Sequence, residues 1–264
     1  MNKDEVRDQA ARAKRMPERE ASYRNLILNQ RVNLTNPFVS AKIWKENGGD
    51  VDLSAFESGR TYIGIDLSAR NDLTALVAVT QDADGVWQMR ANFFAPQHGL
   101  RDRVDRDKVP YDVWAERGFL TLTPGASVDY GYVAQRLCEL CDECDVAAIP
   151  FDRWRIDILK AEIAKLGREL PLIPFGQGFK DMTPALDATE GILLEGKLRH
   201  GMHPIMTMCA ANAVVTRDPA GNRKLDKSKA TGRIDGMVAL AMALGAAAAQ
   251  GQPEPEKKYQ MMFI

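Results

Sequence analysis

Among these 264 residues no apolar run reaches the ~18 residues needed to cross a bilayer. The nearest candidate, from Met237 to Ala249, is short and Ala-rich. The first twenty residues (MNKDEVRDQAARAKRMPERE) lack an apolar centre, so they do not read as a secretory leader. Histidine is scarce, with His200 and His203 together in a turn before Pro204, which weakens the case for a His-based zinc site. Charge of one sign is missing too: 35 Lys and Arg stand against 36 Asp and Glu. That balance argues against a basic surface spread over the whole chain. Nowhere is there a G-x-x-x-x-G-K-[ST] phosphate loop, so nucleotide hydrolysis of that class is not expected.

Cysteine is also sparse. Cys138, Cys141 and Cys144 form C-x-x-C-x-x-C, but the fourth Cys that an iron–sulfur run would place close behind is replaced by Asp145 and Val146. Val133, Leu137, Leu140 and Cys144 fall on one helical stripe, so the segment reads as an amphipathic helix carrying reduced thiols. Cys209 stands apart, and no disulfide framework is expected.

With 45% hydrophobic and 27% charged residues, the chain has enough apolar material for a packed core and is not disordered as a whole. Residues 1–22 are a charged lead-in, 23–59 an aperiodic linker that packs on something, 60–250 the compact domain, and 251–264 a tail. Tyr62–Asp66, Leu73–Val79 and Val86–Phe94 read as an antiparallel meander, with a hairpin turn at 81–85. A charged loop at 100–108 follows. Then come a helix near 129–144, a strand at 146–151, a helix around 156–166 and a strand at 170–175. Thr183-Pro184 has the form of a helix start. Pro204 opens another helix, 213–227 reads as a hairpin, and Ile234–Ala249 is a final helix. The order predicts an α/β fold in which the meander continues into parallel strands, with helices on both faces of the mixed sheet.

Two strands end in an acid, Asp66 and Asp152, and a third acid, Asp235, opens the last helix. Each alone has an ordinary structural reading, as turn chemistry or a helix cap. Together they are different. Ligands bind beyond the carboxyl ends of strands in open α/β sheets, and three converging carboxylates repel unless something positive neutralises them. A pair of Mg²⁺ or Mn²⁺ ions meets that need and suits phosphodiester hydrolysis. Asp72 is either a further ligand or a turn residue. Between Arg217 and Arg233, six basic residues (Arg217, Arg223, Lys224, Lys227, Lys229, Arg233) stand against two acids. Such a stretch would meet phosphates in a salt-sensitive, sequence-tolerant way. Lys180 adds to it, whereas Arg153 and Arg155 either join it or pair with the carboxylates.

YIGIDLSARNDLTALVAV, IPFDRWR, PFGQGFKDMTPALDATEGILLEGKLRHGMHP and NAVVTRDPAGNRKLDKSKATGRIDGMVALAMAL, in that order, resemble the nuclease domain of the large terminase subunit of tailed bacteriophages. The resemblance covers about residues 23–250. It implies a ribonuclease H-like fold and an endonuclease that cuts concatemeric double-stranded DNA during genome packaging. By the same resemblance Asp66, Asp152 and Asp235 are the metal-binding and catalytic acids, and 213–229 is a hairpin beside the site. The implied partners are DNA, the terminase ATPase domain, the small terminase subunit and the portal ring, in the host cytoplasm and without a membrane. The departure from that family is the missing ATPase motif. Two alternatives remain: a junction resolvase or other ribonuclease H-like nuclease, and a non-catalytic docking module.

Overall fold

The computed structural model describes residues 37–68, 73–230 and 232–250. Its centre is one twisted sheet built from β1 (Arg60–Asp66), β2 (Thr74–Gln81), β3 (Trp87–Pro96), β4 (Thr121–Thr123), β5 (Asp145–Phe151), β6 (Leu172–Pro174) and β7 (Leu198–Arg199). The strand order is β4-β3-β2-β1-β5-β6, with β7 paired to β3. The first three strands are antiparallel neighbours, and β5 joins β1 and β6 joins β5 in parallel. The expected meander continued by parallel strands is therefore the observed sheet.

Alternating side chains divide the strands between two cores. On one face Ile63, Ile65, Leu76, Ala78, Ile149 and Phe151 pack against α5 (Tyr130–Glu143) and α6 (Ile156–Lys165). Ala75, Val77, Val79 and Ala148 point the other way. There they meet α7 (Phe179–Leu194), α8 (Pro204–Asn212) and α9 (Asp235–Gln250). Both faces are covered, and this is why β1 and β2 read as nearly unbroken apolar runs. The Ala-rich stretch that was too short for a membrane is α9, buried from Asp235 through Ala247. Its small side chains let the backbone come close to β1. A Cβ on Gly64 would lie 1.9 Å from the Ala239 carbonyl oxygen, so only glycine fits there.

Three sequence expectations need correction. The charged segment at 100–108 is a helix, α3 (Leu100–Asp107), rather than a loop. Leu100 and Val104 share a face and pack on the core. Buried Arg103 ties the helix down by donating to the carbonyls of Pro96 and His98. The helix expected to begin at Thr183-Pro184 begins instead at Phe179, behind Gly178, and carries Pro184 inside it. The 23–59 stretch contains more order than an aperiodic reading suggests. Its described part forms α1 (Ala41–Glu46) and α2 (Ala55–Ser58), burying Phe38, Trp44 and Phe56. Short α4 (Tyr111–Glu116), β4 and β7 had no period long enough to detect. The hairpin is present as β8 (Val215–Arg217) and β9 (Arg223–Leu225). Residues 1–22 and 251–264 lie outside the described residues.

Candidate active site

Asp66 is the last residue of β1, and Asp152 directly follows β5. Ile65 and Phe151 are register partners in the parallel pair, so the two acids stand at the carboxyl ends of adjacent strands. Asp235 is the first residue of α9, where the positive end of the helix favours a carboxylate. Asp66 and Asp235 are buried, at 3% and 2% exposure, whereas Asp152 is half-buried.

The cation between the two buried acids comes from just beyond the hairpin. Lys227 Nζ donates to Asp66 Oδ2 at 2.7 Å and to Asp235 Oδ1 at 3.2 Å. Gln177 Nε2 donates to the other oxygen of Asp66, at 3.1 Å. Asp235 Oδ2 is buried with no hydrogen-bond partner among the described residues. Burial pushes the Asp66 carboxyl up to about 7; the Asp235 charge adds to this, and Lys227 and Gln177 oppose it. Burial works against the charged form of Lys227, but the two carboxylates outweigh it and raise its pKa.

The structure thus joins two of the three expected acids, with a lysine in their midst. Among the described residues no group of three or more acidic, histidine or cysteine side chains is arranged to hold a metal. Asp152 sits at the neighbouring strand end without joining the cluster, and Asp72 lies outside the described residues. In the loop after Asp152, Arg155 adopts a left-handed backbone (φ 57°) and lays its guanidinium over exposed Trp154, 4.9 Å from the ring centroid.

The basic residues separate into distinct roles. Lys227 binds carboxylates. Arg223 donates to Asp187 at 2.9 Å and pairs with Glu190, while Thr183 Oγ1 bonds the Arg223 backbone, so the hairpin is clamped to α7. Lys224 lies over the Phe179 ring at 5.1 Å. Lys229 donates to Thr216 Oγ1 at 3.1 Å, and Arg233 pairs with Asp107 at 3.4 Å. Arg217 and Lys180 are exposed. Reading the sequence alone missed Gln177 as a partner of Asp66, because 111 residues separate them and a lone glutamine in a Gly-rich loop carries no pattern.

Among the described residues, neither the cysteines nor His200 and His203 fall in a group of three or more potential metal ligands. All four thiols are free, and Cys138, Cys144 and Cys209 are buried. His200 stacks on Trp44 with centroids 3.9 Å apart, and His203 caps α8.

An antiparallel meander extended by parallel strands, with helices on both faces, is a ribonuclease H-like fold. Residues 2–251 match the family described as "Terminase large subunit, endonuclease domain", and the chain belongs to that family. It is 53% identical over 234 residues to the terminase large subunit of Enterobacteria phage HK97, a match covering 89% of this chain and 46% of that protein. The crystal structure of the HK97 bacteriophage large terminase superposes with a TM-score of 0.76 at 51% identity, over 93% of this chain and 51% of that one. Protein YmfN of Escherichia coli K12 is 27% identical over 200 residues, covering 72% of this chain and 44% of that protein. The chain spans about half the length, or less, of these curated relatives.

Proposed function

We propose that this chain is a divalent-metal-dependent endonuclease that cuts double-stranded phage DNA during genome packaging. One observation carries the reading: two carboxylates are buried side by side, and one oxygen of Asp235 has no partner. Burying such charges is costly unless a cation compensates them. The donor set is all oxygen, which suits Mg²⁺ or Mn²⁺. Asp66 and Asp235 would hold the metal, with Asp152 contributing from the adjacent strand end and Asp72 a candidate fourth ligand. When bound, a pair of such ions supplies Lewis-acid stabilisation of the charge that develops on the phosphate.

The protein's own contribution is positioning. Gln177 fixes the rotation of the Asp66 carboxylate, and the two strand ends and the head of α9 hold the acids on rigid elements. Lys227 offsets charge on the acid pair, and with its side chain 42% exposed it can turn toward an incoming phosphate. Exposed Arg217, Lys180 and Lys229 would meet the DNA backbone, supported by Lys224 and Arg233; Arg223 contributes by holding the hairpin in place. The larger machine, with an ATPase domain, small terminase subunit and portal ring acting in the host cytoplasm, is the setting we infer. Among the described residues no helix is long and apolar enough to cross a membrane.

Plasmid cleavage in Mg²⁺ or Mn²⁺ tests the reading, comparing wild type with Asp66→Asn and Asp152→Ala. Both variants should lose at least a hundredfold in rate, the scale of removing one electrostatic stabiliser. If Asp152→Ala nicks and linearises as fast as wild type, Asp152 is not part of the site. If neither metal supports cleavage by wild type, a docking role replaces the enzymatic one. Faster cutting of branched than of linear duplex would favour a resolvase.

A further inference from the structure

Beside the acid pair lies a cleft of about 470 Å³ whose walls include Arg106, Asp107, Tyr111, Asn212, Lys227 and Arg233. It shares Lys227 with the buried carboxylates, so whatever fills it lies next to them. Its charge is mainly positive and comes from three separate places: Arg106 from α3, Lys227 from the loop beyond β9, and Arg233 from the approach to α9. The single acid among the six, Asp107, is already engaged. Arg106 Nε donates to it at 2.7 Å, the Tyr111 hydroxyl at 3.2 Å and Arg233 at 3.4 Å.

Asp107 therefore acts as a bracket that sets the two guanidinium groups along one wall. The bracket is anchored from behind, because buried Arg103 fastens α3 to the carbonyls of Pro96 and His98. The opposite side is also fixed: the Asn212 amide donates to the Arg233 carbonyl at 3.3 Å. A Cβ on Gly232 would come within 2.6 Å of that amide, so a larger residue there would have to displace the Asn212 side chain.

We propose that this cleft seats the sugar-phosphate unit adjoining the bond that is cut, with Arg106 and Arg233 gripping its phosphate. The volume suits a nucleotide-sized group, and paired guanidinium groups are the natural partners of phosphate oxygens. The proposal rests on the endonuclease reading above and adds α3, a helix outside the basic hairpin, to the DNA-binding surface. It also commits to backbone recognition without base preference.

The test is duplex binding without divalent metal, followed by fluorescence anisotropy across a salt series. Arg106→Gln and Arg106→Glu are compared with Arg101→Glu, which reverses a charge on the same helix but outside this cleft. Arg106 is half-exposed, so its variants should fold, and thermal melts of all four proteins check this. Arg106→Glu should weaken binding about tenfold and lower the salt slope by roughly one, with Arg106→Gln intermediate and Arg101→Glu near wild type. Equal losses from Arg101→Glu and Arg106→Glu would reduce the cleft to general electrostatics and overturn the proposal. So would wild-type affinity in both Arg106 variants, and this would leave metal-dependent cleavage standing. A wild-type chain that neither binds nor cuts duplex DNA overturns both readings.

Discussion

Lys227 does the work in the folded chain that the sequence assigns to metal ions: it supplies the positive charge between Asp66 and Asp235. Replacing it with methionine leaves two buried acids uncompensated. Breaking a fully buried pair costs about 3–5 kcal/mol; because the lysine side chain is 42% exposed, we expect about 1–2 kcal/mol. The same change removes a competitor for the carboxylates, so Mn²⁺ should bind roughly tenfold more tightly, as calorimetric titration would read. Weaker Mn²⁺ binding would mean that the lysine assists the metal. A second residue sets an acid limit on stability. Burial lowers the His203 pKa from 6.5 to about 4, so the folded state resists protonation. Stability from this group is complete above pH 6.5 and is lost as pH falls toward 4. His203→Asn keeps a good helix cap and should flatten the fall in melting temperature across that window. The acids themselves were legible in the sequence, because strand-end carboxylates are a local pattern. The role of Lys227 was not: it reads as one more charge in a basic run, and only the fold sets it against an acid 161 positions away.

The meander, the two crossover helices and the final helix were legible as elements because each has a run of side chains with a clear period. The errors fell where tertiary contacts decide. In α3, alternating charges hide a two-residue apolar face and a buried arginine, and propensity alone cannot show that Pro96 and His98 need a donor. In α7, a proline that normally starts helices sits inside one, in the second turn after Phe179, where it removes one backbone hydrogen bond. Packing between elements makes one substitution decisive. Gly64→Ala would push a methyl group into the Ala239 carbonyl and force α9 off the sheet. We expect a loss of about 3 kcal/mol or more, at the upper end of overpacking. Chemical denaturation would measure it, and a variant as stable as wild type would show that α9 can slide.

For the whole molecule, metal binding and folding should be linked. At a free Mn²⁺ concentration about 100 times its dissociation constant, stability should rise by about 2.7 kcal/mol. In a domain of this size that shifts the melting temperature upward by roughly 5–10 °C. Asp66→Asn should abolish the shift, and a shift that survives would place the metal elsewhere. The near-zero net charge, which first argued against DNA, conceals a local imbalance: six bases stand against two acids between Arg217 and Arg233.

The Asp66–Lys227 contact closes a loop of 161 residues, and this carries a consequence for timing. At about 5–20 residues per second, a ribosome that has released β1 needs roughly 10–30 s more to deliver the lysine and the helix that follow. Until then Asp66 is a solvated strand-end carboxylate with neither Asp235 nor Lys227 beside it. The proposed cutting centre of the nascent chain therefore comes into being only after both Lys227 and Asp235 have been made.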